Sequence, residues 1–74
     1  MKVEKLVRMA NEIARNLRAL PGDQPSAATA AHVRSFWTPG MRATIIAHAD
    51  TGGAGLDPIA RDAVRLLGVV AEAG

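Results

Sequence analysis

Proline and glycine residues divide this chain into short segments, and that division limits the secondary structure it can form. Pro21–Gly22, Thr38–Pro39 and the run from Thr51 to Pro58 each interrupt residues suited to a helix. Thr38 and Asp57 each precede a proline, which is the pattern of an N-cap followed by proline at the first helical position. Glycine ends a helix readily because it takes positive φ without a steric penalty. The breaks therefore predict four short helices.

Apolar residues between these breaks recur at the three- and four-residue spacing of one helix face. The predicted helices span about residues 3–20, 39–50 and 58–72, with a further short helix from Pro25 or Ser26 to Trp37. No useful stretch alternates with period two, so we expect no sheet. We predict an all-α fold, a small compact bundle of about four helices, forming one domain over residues 1–74. The predicted inward positions are Val3, Leu6, Val7, Ala10, Ile13, Ala14, Leu17 and Leu20 in the first helix, Met41, Ile45 and Ile46 in the third, and Ile59, Ala63, Leu66, Leu67 and Val70 in the fourth.

Alanine accounts for 15 of the 36 hydrophobic residues, so the chain has few large side chains with which to build a core. Small side chains bury little area, and a domain of 74 residues has a modest core in any case. We expect that such a fold gains stability by docking on a partner. Cysteine is absent, which excludes disulfides and thiolate metal sites and is compatible with a reducing compartment.

Residue patterns that carry chemistry are incomplete in this chain. His32 and His48 do not have the close spacing of a metal-binding pair, and no recognisable nucleophile accompanies either. The glycines of residues 52–55 lack the following Lys-Ser/Thr of a P-loop, and Asp57 would repel an anion from the next helix. We therefore interpret the histidines as surface or interface side chains and the glycines as a helix stop. We predict no catalytic, cofactor-binding or metal-binding residue.

The positive charge of the chain suggests an alternative function. The net charge is +2 and the pI about 9.9, with basic residues concentrated in the first helix. Glu4 and Glu12 interleave with them, which favours a solvated, paired face over a nucleic-acid surface. A small basic helical nucleic-acid-binding domain is nevertheless the alternative prediction. The N-terminus is not a secretory signal, and the longest apolar stretch, residues 66–71, is too short to span a membrane, so we expect a cytoplasmic protein.

The most informative local feature is the pair of adjacent aromatic residues, Phe36 and Trp37, which are the only two in the chain. On a helix, consecutive side chains point roughly 100° apart, so one ring can fill the core while the other faces outward. We predict that Phe36 lies in the core and that Trp37 and Arg42 lie on a partner-binding surface. Pro39, with its fixed φ, would set a rigid corner between the second and third helices.

The chain resembles the delta subunit of NAD-dependent, molybdopterin-type formate dehydrogenase. The resemblance rests on KLVRMANEIA (residues 5–14), AAHVRSFWTPGMR (residues 30–42) and IIAHADTGGAGLDPIARDAV (residues 45–64), and covers nearly the whole chain. The combination is specific, although each piece alone is weak. This sequence has Thr38 where the family commonly has an acidic residue and Gly40 where arginine is common.

The resemblance implies a non-catalytic accessory subunit. It implies a large alpha subunit as partner, which carries bis-molybdopterin guanine dinucleotide and iron–sulfur clusters, with beta and gamma subunits that carry FMN and pass electrons to NAD. The delta subunit itself is expected to bind no cofactor and to support assembly, cofactor insertion or stability of the complex. The residues that we predict to bind the partner are Phe36, Trp37, Pro39, Met41, Arg42 and His48.

Overall fold

A computed structural model describes residues 2–19 and 24–73, with side chains up to Gly68, and contains four α-helices. They are α1 (Val3–Arg18), α2 (Pro25–Phe36), α3 (Pro39–Asp50) and α4 (Pro58–Ala73). Over these two ranges no residue lies in a strand. The prediction of a small all-α bundle is confirmed, and α2, α3 and α4 each begin with proline at the first helical position.

The helix ends show where the sequence prediction was accurate. The Thr38 hydroxyl accepts a hydrogen bond from the Met41 N–H at 3.2 Å, as expected of an N-cap. After α3, Gly52 and Gly53 both have positive φ, and the Gly53 N–H donates to the His48 carbonyl at 3.0 Å. The double glycine is therefore the helix stop that was predicted. Helix α1 ends at Arg18 with Ala19 as its C-cap, so the predicted helix was too long at Ala19, and its predicted last residue, Leu20, lies outside the described residues.

The core is assembled from side chains of all four helices and the loop before α4. Five of its twelve buried apolar residues are alanine, so the helix backbones approach closely at those positions. Helix α2 packs most extensively against α4, and α1 packs against the other three helices. The buried apolar residues are Leu6, Ala10, Ala14, Ala30, Val33, Trp37, Ile45, Leu56, Ala60, Ala63, Val64 and Leu67.

Two of the predicted inward positions were wrong. Leu66 is 39% exposed, because the buried stripe of α4 follows Ala60, Ala63, Val64 and Leu67 and leaves Leu66 outside it. Phe36 was predicted in the core but is 74% exposed, and Trp37 was predicted at the surface but is only 5% exposed. The predicted inward side chain of Val70 lies beyond the described side chains.

The exchange of Phe36 and Trp37 has a clear backbone cause. Helix α2 ends at Phe36, and Trp37 has the extended dihedrals φ −88° and ψ 146°. Trp37 is therefore not part of α2, although the prediction placed it there. Its N–H still donates to the Val33 carbonyl at 2.9 Å, which holds it against the end of α2. The turn of the chain directs the indole inward, while Phe36, the last helical residue, stays on the outer face.

The buried hydroxyl group of Thr29 leads to a prediction about stability. Thr29 is completely buried in α2, and its hydroxyl oxygen has no hydrogen-bond partner. Thr29→Val keeps the side-chain shape and removes the unpaired hydroxyl, so we expect an increase in unfolding free energy of up to about 1 kcal/mol. Thermal melts followed by circular dichroism measure this. Thr29→Ser is the matched control, because it keeps the hydroxyl, loses a buried methyl and should lower stability by about 1 kcal/mol. A destabilised Thr29→Val variant would show that the hydroxyl is satisfied in solution.

Candidate partner-binding site

An open apolar groove runs between α1 and the corner where α2 meets α3. Its volume is about 380 Å³. The half-buried side chains of Met9 and Ile13 form one wall, and Phe36 with the edge of Trp37 forms the other. The full lining is Met9, Glu12, Ile13, Asn16, His32, Phe36, Trp37 and Met41. The groove is mainly apolar, although it is open to solvent.

Phe36 is the most exposed large apolar side chain in the described part of the chain. It lies four residues after His32 on the same helix face, and the two rings are 4.6 Å apart between centroids, tilted by 35°. An aromatic side chain has only two χ angles, so it loses little entropy when a partner covers it.

Arg42 stabilises the corner where α2 meets α3. One guanidinium nitrogen, Nη1, donates to the carbonyl of Arg34 at 2.9 Å and to that of Trp37 at 3.2 Å. Carbonyls at the end of a helix lack partners within the helix, so a cation placed there satisfies them and complements the helix dipole. Arg42 therefore holds the end of α2 against the start of α3. Phe36 lies between these two carbonyl-bearing residues, at the end of α2 that Arg42 holds.

A second set of contacts fixes the glycine loop that joins α3 to α4. The Asn11 side chain donates to the Gly55 carbonyl at 2.8 Å and accepts from the Asp57 N–H at 3.0 Å. His48 Nε2 lies 2.8 Å from the Ala54 carbonyl oxygen, so that nitrogen carries the proton in this contact. Asn11 thus connects α1 to Gly55 and Asp57, which lie 44 and 46 positions later in the chain. These two hydrogen bonds, called the Asn11 clamp below, hold the glycine loop against α1.

Gly55 shows why this loop requires glycine. Its φ is +86°, a value that side-chain-bearing residues rarely adopt. A Cβ atom built there would lie 3.3 Å from Cγ1 of Val7 on α1. The close approach of loop and helix brings the Gly55 carbonyl within reach of Asn11.

The Asn11 clamp leads to a stability prediction. Asn11→Ala removes both hydrogen bonds to the loop, and we expect a loss of about 1–3 kcal/mol in unfolding free energy. Urea titration measures the change. Asn16→Ala is the matched control, because Asn16 is an exposed asparagine on the same helix and its loss should cost no more than about 0.5 kcal/mol. Equal effects of the two substitutions would contradict a special role for Asn11.

The structure brings only some of the predicted partner-binding residues together. Phe36, Trp37 and Met41 line the groove. Pro39 is exposed at the corner between α2 and α3, and Arg42 donates hydrogen bonds to carbonyls at the end of α2. His48 contacts the glycine loop and is not among the residues that line the groove. Met9 and Ile13, four residues apart on α1, were not predicted as site residues, although their spacing alone shows that they share a face.

The described residues contain no group of three or more His, Cys, Asp or Glu side chains that is arranged to hold a metal ion. Nor does that part of the chain contain a helix that is long and apolar enough to cross a membrane.

The fold and the groove define the class of the protein: a small all-α protein with an open apolar groove and an exposed aromatic side chain beside it. The sequence model of the NADH-dependent formate dehydrogenase delta subunit, FdsD, matches residues 5–64 of the 74-residue chain. The chain therefore belongs to this family of delta subunits. No curated protein and no solved structure gives a significant match.

Proposed function

We propose that this chain is a non-catalytic accessory subunit of a cytoplasmic NAD-dependent formate dehydrogenase. It binds the molybdenum-carrying alpha subunit and supports assembly of the complex, insertion of its cofactor or its stability. Under this proposal the chain binds no cofactor itself. Bis-molybdopterin guanine dinucleotide, iron–sulfur clusters, FMN and NAD belong to the alpha, beta and gamma subunits.

The observation that carries the proposal is the exposed position of Phe36 beside the groove. Its ring is 74% exposed in a chain that has only two aromatic residues. Aromatic side chains dominate the energetics of protein interfaces because they bury much area at a small cost in side-chain entropy. Met9 and Met41, which line the same groove, are flexible side chains that can adapt to a partner surface. A protein partner covers all of these side chains at once.

The nucleic-acid alternative has less support from this surface. Phosphate recognition uses basic side chains gathered on one face, together with polar groups that read bases. The groove instead presents mainly apolar side chains, and its lining among the described residues includes the acidic Glu12 but no lysine or arginine. An electrophoretic mobility shift with duplex and single-stranded DNA at 150 mM salt distinguishes the two functions. A salt-resistant shift would favour the alternative.

Co-expression tests the proposed function. Tagged alpha subunit is purified with and without this chain, and the molybdenum and pterin content of the alpha subunit is measured by elemental analysis and by fluorescence of the oxidised pterin. We expect this chain to co-purify with the alpha subunit in stoichiometric amount and to raise either the cofactor content or the yield of intact complex. Absence of co-purification, with unchanged cofactor content and yield, would refute the proposal.

A further inference from the structure

Oxidisable sulfur in this chain is confined to methionine, because the sequence has no cysteine. The three methionines are Met1, Met9 and Met41. Met9 lies on α1 and Met41 lies near the start of α3, yet both side chains line the same groove. The fold therefore gathers two of the three sulfur-containing side chains on one surface.

Both methionines are within reach of a small oxidant. Each is half-buried, so neither thioether is sealed inside the core. The groove of about 380 Å³ is open to solvent, and Met41 also borders a second cavity of about 330 Å³ beside Thr38 and Thr44. Hydrogen peroxide is only slightly larger than water, so it can enter both spaces and approach the sulfur atoms.

The same two side chains contribute to the packing of the bundle. Met9 and Met41 both pack against the hydrophobic core, one from α1 and the other from α3. Oxidation turns a flexible apolar thioether into a polar sulfoxide. A polar oxygen that loses water without gaining a hydrogen bond raises the free energy of the packed state. A sulfoxide at either position therefore weakens the contact between α1 and the corner where α2 meets α3.

We propose that Met9 and Met41 form a paired oxidation site for hydrogen peroxide, and that its modification loosens α1 and makes the groove unfit to bind an apolar surface. In each reaction the sulfur lone pair attacks one peroxide oxygen, the O–O bond breaks and the other oxygen leaves as water. Sulfur loses two electrons and peroxide gains them. The effect on the alpha subunit rests on the proposed function, whereas the oxidation and the loosening are properties of the free chain.

Peroxide treatment of the free chain tests the site. Peptide mass spectrometry gives the rate at each methionine, and a methionine-containing peptide in the same solution gives the rate for an accessible thioether. We expect Met9 and Met41 to react within about tenfold of that peptide. The oxidised chain should melt at least about 5 °C lower than the untreated chain.

The matched control is the double variant Met9→Leu, Met41→Leu, which keeps apolar side chains of similar volume and retains Met1. Its melting temperature should not change on peroxide treatment. An equal fall of the melting temperature in the double variant would overturn the proposal. So would an unchanged melting temperature of the oxidised chain, or a rate at either residue more than about a hundredfold below that of the reference peptide.

Titration with purified alpha subunit tests the consequence for binding. Oxidation should raise the Kd at least about tenfold, and peroxide should leave the Kd of the double variant unchanged. Methionine sulfoxide reductases A and B, one for each epimer, should restore the original Kd with a dithiol as reductant. Equal Kd values for the oxidised and untreated chains would overturn the inference. Failure of the untreated chain to bind would refute the proposed function, and the melting experiment would still decide whether oxidation loosens α1.

Discussion

Trp37→Ala is expected to cost about 3–5 kcal/mol of unfolding free energy, the largest effect of any substitution considered for this protein. The indole is 5% exposed, and it is the largest side chain in a core of which nearly half the members are alanine. Its removal leaves a cavity in a core whose many alanine side chains are too small to fill it. Because a domain of this size has a net stability of only several kcal/mol, the variant should be largely unfolded at 37 °C. Far-UV circular dichroism during a thermal melt measures the loss.

The matched comparison for Trp37→Ala is Trp37→Phe, which keeps an aromatic ring in the same place. We expect it to recover more than half of the lost stability. If Trp37→Ala melted within about 2 °C of the unchanged protein, the indole would not be a core residue, and the position of the corner between α2 and α3 would be wrong.

Phe36→Ala is expected to lower the stability of the free protein only slightly and to weaken partner binding strongly. The free protein should lose less than about 1 kcal/mol, because the exposed ring buries little area against its own chain. Binding to the alpha subunit should weaken by at least about 2 kcal/mol, or roughly 30-fold in Kd, if Phe36 is the central aromatic anchor. Isothermal titration calorimetry with purified alpha subunit gives the second number. Circular dichroism of the same preparation gives the first.

Ser35→Ala is the control for Phe36→Ala, since Ser35 is the exposed neighbour of Phe36 on α2 but is not among the groove residues. It should leave both stability and affinity nearly unchanged. An unchanged Kd for Phe36→Ala, with normal folding, would show that the interface lies on another face of the protein.

The helix starts were predictable because they depend on local chemistry. A capping residue followed by proline defines the beginning of α3, and Asp57–Pro58 marks the beginning of α4. Both signals act within a few residues and need no knowledge of the tertiary structure. The same is true of the stop after α3, where Gly52 and Gly53 take the positive φ that ends the helix.

The groove was less predictable, because it depends on where α2 ends. Trp37 was predicted to continue α2, but the helix ends at Phe36, and this difference of one residue exchanges the roles of the two aromatic side chains. The Asn11 clamp depends on packing between residues more than 40 positions apart. No local pattern in the sequence encodes such a pairing. Asn11 and His48 both lie in segments that resemble one family, and in the structure both contact the glycine loop.

Oxidation of methionine provides the most direct test of the proposal that a partner covers the groove. Met9 and Met41 lie on different helices, and both line the groove in a half-buried state. Dilute hydrogen peroxide converts accessible methionine to the sulfoxide, and mass spectrometry of peptides gives the rate at each position. A methionine-containing reference peptide in the same tube corrects for peroxide consumed by the alpha subunit. With the groove occupied in the complex with the alpha subunit, both rates should fall at least about tenfold relative to the free chain. Equal rates at Met9 and Met41 in the free chain and in a stable complex would show that the partner binds elsewhere.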